Sequence, residues 1–192
     1  MEQPALRASW TKMMLDYYDR LLPAEARAAV RGALDPKVHA RLTAAAPLEW
    51  LPAEVHMCVL PAPLATMDAD AYRALWRGIA RDGFDRPLFR SFVHGVVTAF
   101  GSLKGQVFRM LPRGFGLIAR DCGEMDVAVR NDDCEVDITW RAIPPVLRRE
   151  NAFPIAWAGT MEAVLEVTET NGSVTLQTSP SQPSRAHYTV RW

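Results

Sequence analysis

The sequence is short of cysteine, has no excess of either charge, and has no apolar run long enough to cross a bilayer. Cys58, Cys122 and Cys134 are odd in number and lack a Cys-x-x-Cys spacing, which disfavours a disulfide framework and a zinc ribbon. The 22 basic residues balance the 22 acidic ones, whereas proteins that bind nucleic acid or anionic membranes usually carry a basic excess. We therefore expect no nucleic-acid partner.

Targeting and membrane-spanning segments are also missing. The longest apolar stretches without an acidic or basic residue are 55–67 and 91–103, and a spanning helix needs about 20 apolar residues. The N-terminal residues lack the apolar core of a signal peptide. These absences predict no membrane span and a cytoplasmic protein.

Motifs for catalysis and metal binding are absent too. The sequence contains neither the GxSxG motif of serine hydrolases nor a phosphate-binding Walker motif. His39, His56, His94 and His187 are scattered, and His56 and Cys58 would point about 200° apart on a helix. We expect no metal site and no enzymatic activity, and an enzyme, which would need polar residues brought together from distant parts of the chain, is the least favoured hypothesis.

Two residues leave a choice of interpretations. His94 lies in an apolar segment, where it is either an axial ligand for heme or a core histidine, and we prefer the core role. Cys122 follows Arg120 closely, so it is either an activated thiol or a small packing residue where helices give way to strands, and we prefer packing. No cofactor is therefore expected.

The apolar pattern predicts helices first. Residues 6–22 place apolar side chains at helical spacing, and Asp35-Pro36 and Asp68 are typical helix starts. The segment after Pro87 is apolar on almost all sides, which predicts a central, buried helix. Residues 113–116, which contain two glycines, are interpreted as a connection before the first strand.

From Gly123 onward the apolar period changes to strict alternation. Residues 125–129 and 136–140 alternate apolar with polar side chains around turn residues 131–133, which predicts a β-hairpin. A helix over about 149–168 and two further strands at 174–178 and 188–192 complete the pattern. The predicted fold is α+β: an N-terminal helical layer on one face of a four-stranded antiparallel sheet, in the order helices then ββαββ. We expect a single domain over 1–192, with 1–35 as a helical extension of 36–192.

Five short motifs in residues 36–192 carry a family resemblance. They are Leu48-Glu49-Trp50-Leu51-Pro52, Leu111-Pro112-Arg113, Arg120-Asp121-Cys122-Gly123-Glu124, Ala158-Gly159-Thr160 and Tyr188-Thr189-Val190-Arg191-Trp192. The sequence resembles a bacterial paralogous family of unknown function related to the 4-vinyl reductase domain and to TRAPP subunits. This resemblance implies helices on a four-stranded sheet, frequent dimerisation, and a hydrophobic ligand between the two layers. The cysteines that related 4-vinyl reductase domains carry around the last hairpin are missing, and so is the tyrosine-serine-arginine heme signature of nitric-oxide sensors.

The leading hypothesis is a non-enzymatic sensory or adaptor domain, expected to be a homodimer, with a small hydrophobic ligand between the central helix and the sheet. Phe92, Val96, Phe100, Trp157 and Met161 are the predicted lining residues. The alternative is a protein-interaction module without ligand that uses its first helix, because Tyr18 and Leu22 widen the apolar face of that helix.

Overall fold

Most of the described helices lie before residue 120, and the four longer antiparallel strands and one long helix follow it. The computed structural model describes residues 3–86, 90–91, 95–96, 98–99, 104–130 and 134–192. The described helices are α1 (Ala8–Leu21), α2 (Ala24–Ala33), α3 (Pro36–Ala44), α4 (Ala53–Met57), α5 (Ala69–Phe84), α6 (Lys104–Arg109), α7 (Leu111–Ile118) and α8 (Ala152–Val167), with 3₁₀ segments at Ala62–Ala65 and Pro145–Asn151. The strands are β1 (Ala5–Arg7), β2 (Trp50–Pro52), β3 (Ala119–Arg120), β4 (Glu124–Arg130), β5 (Glu135–Arg141), β6 (Ser173–Thr178) and β7 (Ala186–Arg191).

The predicted helix starts at Asp35 and Asp68 are confirmed. The Asp35 carboxylate accepts a hydrogen bond of 2.7 Å from the Lys37 amide at the start of α3. The Asp68 carboxylate accepts one of 2.8 Å from the Ala71 amide at the start of α5. Each carboxylate satisfies an amide that the helix itself leaves without a partner.

The large sheet has the order β4-β5-β7-β6, and all of its neighbours are antiparallel. The predicted hairpin is confirmed, with Met125 opposite Trp140 and Val129 opposite Val136. The predicted turn at 131–133 lies outside the described residues. Because side chains alternate along each strand, the apolar residues of all four strands share one face, which the helices cover.

Helix α8 lies against this inner face, and α5 packs on α8 at very close range. A side chain at Gly159 would place its Cβ 2.3 Å from the Arg73 carbonyl oxygen, so only glycine allows the two helices to approach this closely. The Arg73–Glu162 ion pair of 2.5 Å closes the edge of the contact. The α+β class with a helical layer on one face of the sheet is confirmed.

A second, three-stranded sheet escapes sequence reasoning. Its order is β2-β1-β3, and both pairings are antiparallel. Leu6, Leu51 and Ala119 lie opposite one another and are at most 4% exposed. The strands contain two or three residues each, which is too short for alternation to be recognised.

The wide apolar face of α1 is used inside the chain. Tyr18 and Leu22, the residues that favoured an interface on this helix, are 1% and 5% exposed and belong to the main core. The hydroxyl groups of Tyr18 and Tyr72 both donate to the Leu60 carbonyl oxygen, at 3.4 and 2.8 Å. Burial raises the pKa of both tyrosines above its ordinary value.

Two further expectations concern residues 87–118. The interpretation of 113–116 as a connection is wrong, because these residues form the middle of α7, whose first turn contains Pro112. The predicted central helix after Pro87 falls largely outside the described residues, although 90–91, 95–96 and 98–99 are helical.

Every helix in the described part of the chain is too short or too polar to cross a membrane. The homodimer and the cytoplasmic location stay predictions.

Candidate ligand cavity

A cavity lies between α7 and α8, beside the buried end of α1. The volume that the centre of a water molecule can occupy is about 70 Å³. The total empty volume, which includes solvent space at the open mouth, is about 670 Å³. The lining residues are almost all apolar: Trp10, Phe84, Val96, Val107, Met110, Leu111, Gly114, Phe115, Ile118, Trp157, Thr160, Val164, Val167 and Thr168.

Helical periodicity explains why α7 and α8 both face this space. Leu111, Phe115 and Ile118 are four and three residues apart along α7, so they share one side of the helix. Trp157, Thr160 and Val164 are three and four residues apart along α8 and share the facing side. Gly114 adds no side chain on the α7 wall, which leaves the room that a larger residue would fill.

Aromatic rings fix the floor of the cavity. The Phe115 ring meets the Trp157 ring edge to face at a centroid distance of 5.0 Å, and the Trp140 ring at 5.3 Å. Trp10 stacks on Trp76 with centroids 5.9 Å apart. Such aromatic pairs hold each other in place, so this part of the wall is preformed.

The two threonine hydroxyl groups of the lining form hydrogen bonds to carbonyl oxygens of α8. The Thr160 hydroxyl donates to the Ala156 carbonyl oxygen at 3.0 Å, and the Thr168 hydroxyl donates to the Val164 carbonyl oxygen at 2.9 Å. No acidic or basic side chain is among the described lining residues. The cavity therefore suits an apolar molecule that is recognised by shape.

The five residues predicted from sequence to line a cavity are placed in different ways. Val96 and Trp157 line this cavity. Met161 is fully buried in the core and is not part of the lining. Phe92 and Phe100 lie outside the described residues. The ligand-binding role of all five stays a prediction.

Sequence reasoning missed Trp10 and the α7 residues. Trp10 lies on the helix that sequence reasoning considers as an interface, and residues 113–116 of α7 are interpreted as a connection because they come just before the first predicted strand. The spacing of Leu111, Phe115 and Ile118 was the signal that could have identified the α7 wall.

The titratable groups that could suggest chemistry lie elsewhere and are inert. His56 is 1% exposed, and its Nδ1 lies 3.2 Å from the Thr11 hydroxyl. Burial lowers the pKa of His56 to about 3, so the ring is neutral. Burial raises the pKa of the Cys122 thiol to about 12, which agrees with a packing role. Within the described residues, no three His, Cys, Asp or Glu side chains cluster as metal ligands would.

No family model matches the sequence, and no curated protein matches it either. Solved structures do match its fold. The Fe(II) unliganded H-NOX protein from K. algicida has 8% identity and a TM-score of 0.61, over 97% of this chain and 96% of that one. A variant of T. tengcongensis H-NOX has 13% identity and a TM-score of 0.56, over 95% of this chain and 93% of that one. A structure concerned with heme distortion in the H-NOX family has 13% identity and a TM-score of 0.60, over 96% and 92%.

These matches correct the expected kinship. The resemblance to the 4-vinyl reductase and TRAPP group is wrong, because the matching structures are H-NOX proteins. At identities of 7–13% the likeness concerns the fold, and in fold this chain is similar to the H-NOX proteins.

Proposed function

We propose that this chain is a non-enzymatic sensory domain that binds a small apolar molecule in the cavity between α7 and α8. The observation that carries the proposal is the cavity itself, which has an apolar lining and preformed aromatic walls within an H-NOX-like fold. A ligand there would touch α1 through Trp10, α7 through Phe115 and α8 through Trp157. Occupancy could then change how three separate elements pack, which is what a sensor requires.

Heme does not fit the described residues of this cavity. Heme iron is held in proteins by histidine, cysteine, tyrosine or methionine, and of these the described lining contains only the Met110 thioether. The same residues offer no cation for the carboxylates of heme. The 70 Å³ of free space is also less than half of the engineered cavity of about 150 Å³ that binds benzene or xenon. His94 lies outside the described residues.

The expected ligand is therefore a small uncharged molecule of the size of xenon or, with some widening, benzene. Xenon under pressure and benzene in solution are suitable probes, followed through the methyl resonances of Val107, Ile118 and Val164 by NMR. Saturable shifts of these signals support the proposal. Unchanged methyl signals with both probes would contradict it.

A matched pair of variants on α7 tests the position of the site. Gly114→Leu places a side chain into the cavity wall, whereas Gly116→Leu, two residues on, points to open space with nothing within 4 Å of its Cβ. We expect Gly114→Leu to abolish the probe-induced shifts and Gly116→Leu to keep them. Val164→Ala enlarges the same cavity and should tighten benzene binding, which tests the site even if Gly114→Leu does not fold.

Titration with hemin tests separately the proposal that the chain does not bind heme. We expect no saturable one-to-one Soret band from the purified chain. A stoichiometric Soret band that the His94→Ala variant loses would overturn the heme-free interpretation.

A further inference from the structure

The outward face of the small sheet carries an unusual arrangement of charge. Because side chains alternate, Leu6, Leu51 and Ala119 point into the core, while Arg7, Trp50 and Arg120 share the opposite face. The Arg7 guanidinium carbon lies 3.8 Å from the centroid of the Trp50 ring, and that of Arg120 lies 5.2 Å from it. Both guanidinium groups therefore stack on one indole.

Neither arginine has an acidic partner. Within the part of the chain that the structure describes, no carboxylate forms an ion pair with Arg7 or Arg120, although Asp121 is the next residue after Arg120. The Arg7 side chain is fixed by donating to the Leu48 and Leu117 carbonyl oxygens. The Arg120 side chain is exposed and contacts Trp50 alone among the interactions described. Two positive charges thus stay uncompensated on a rigid platform.

An exposed leucine, Leu48, is joined to this platform through its carbonyl oxygen, which accepts a hydrogen bond from Arg7. Leu48, two residues before Trp50, is 58% exposed, and Leu21 is the other large apolar residue of comparable exposure among the described residues. Tryptophan and arginine are enriched at the centres of protein–protein interfaces, and an exposed leucine adds apolar surface beside them. Guanidinium groups are also preferred for paired hydrogen bonds to carboxylates.

The position of the platform also links it to the cavity. Trp10 lines the cavity three residues after Arg7, and Ile118 lines it two residues before Arg120. Strand β1 therefore leads into the cavity wall through α1, and strand β3 directly follows the cavity wall formed by α7.

From these contacts we infer that the face formed by Arg7, Trp50, Arg120 and Leu48 is a docking surface for an acidic, leucine-containing segment of a partner protein. Carboxylates of the partner would bind the free guanidinium nitrogen atoms, and an apolar side chain would lie against Leu48 and Trp50. The inference stands without the cavity ligand, since binding at this face requires only the residues on it.

The test uses a rhodamine-labelled peptide of alternating glutamate and leucine, and the full chain at low ionic strength. Fluorescence anisotropy should give saturable binding, weakened about tenfold by Arg120→Ala, because a hydrogen bond to a charged group contributes about 1.5 kcal/mol or more. Arg113→Ala is the matched control. It removes the same charge from an exposed position on α7 that lines no part of this face.

A second variant separates a folding defect from lost binding. Trp50→Phe keeps an aromatic ring and should reduce affinity less than Arg120→Ala while the circular dichroism spectrum stays unchanged. Equal weakening by Arg120→Ala and Arg113→Ala would overturn the inference, because general charge attraction would then explain the binding. No peptide binding, or tighter binding of a single-stranded RNA of the same charge, would overturn it as well.

Discussion

The two sheets differ in whether the arginines on their outward faces are paired with carboxylates. On the large sheet the arginines lie beside carboxylates of neighbouring strands: Arg130 is 2.6 Å from Asp137, and Arg191 is 2.5 Å from Glu135. On the small sheet Arg7 and Arg120 lie against an indole ring instead. The arginines on the face of the large sheet are paired with carboxylates of the same sheet. The arginines on the face of the small sheet have no such partners among the described residues and can bind carboxylates of another molecule.

Asp137 is the centre of the paired face. Its side chain is 15% exposed and accepts a hydrogen bond of 3.1 Å from the Thr189 hydroxyl, while His187 Nε2 lies 3.3 Å away. The other ring nitrogen of His187 lies 3.2 Å from the Thr139 hydroxyl. Such a network orders the strands and leaves few groups for a partner. The contrast agrees with the inference that the outward face of the small sheet, rather than that of the large sheet, binds a partner.

The largest effect is expected where the two sheets are joined. Trp140 lies on the inner face of β5 against Phe115, Phe153 and Trp157, and its Nε1 donates to the Cys122 carbonyl oxygen, just after β3, at 3.1 Å. Trp140→Ala should lower the free energy of unfolding by about 3–5 kcal/mol, as large-to-small core changes do. Urea denaturation measures this loss.

A milder variant at the same position isolates the joint itself. Trp140→Phe keeps an aromatic ring but removes the donor, and should cost about 1–3 kcal/mol because the Cys122 carbonyl stays buried. A loss below about 0.5 kcal/mol for Trp140→Phe would show that this hydrogen bond does not help to hold the two sheets together.

Acid should weaken the small-sheet region first. Burial lowers the pKa of His56 in the folded chain to about 3, below its ordinary value of 6.5, and α4, which carries His56, directly follows β2. Between these two pH values the unfolded chain binds a proton that the folded chain excludes. The contribution of His56 is therefore fully present above about pH 6.5 and falls by about 1.4 kcal/mol per pH unit as the pH drops towards 3.

The difference between the native chain and a His56→Leu variant isolates this contribution, because the carboxylates titrate equally in both. We expect the free-energy difference from urea denaturation to change with pH between about 6 and 4 at that slope. Hydrogen exchange should also show early loss of protection in β1 and β2. A pH-independent difference would show that folding does not lower the pKa of His56.

The sequence predicted the large sheet because its strands are six or seven residues long and each alternates apolar with polar side chains. The helix starts at Asp35 and Asp68 were predictable for a similarly local reason. The small sheet was not predictable, since Leu6, Leu51 and Ala119 become neighbours only after the chain has folded.

The candidate site was predictable only in part, for a related reason. The apolar side of α8 is visible in the sequence, so Trp157 could be named. Trp10 could not, because nothing in the first fifty residues shows which side of α1 meets α7. Arg7, Trp50 and Arg120 likewise lie on three different strands that are far apart in the sequence.

The smallest effects give the sharpest test of the contrast between the sheets. Asp137→Asn removes the charge that Arg130 and His187 share, and should lower the free energy of unfolding by about 1–2 kcal/mol because the Asp137 side chain is mostly buried. Arg120→Ala removes an exposed charge without an acidic partner and should change it by less than about 0.5 kcal/mol. Both are measured by urea denaturation at the same ionic strength. If Arg120→Ala cost as much as Asp137→Asn, the stacked guanidinium would be part of the fold, and the small sheet would have no more free binding capacity than the large one.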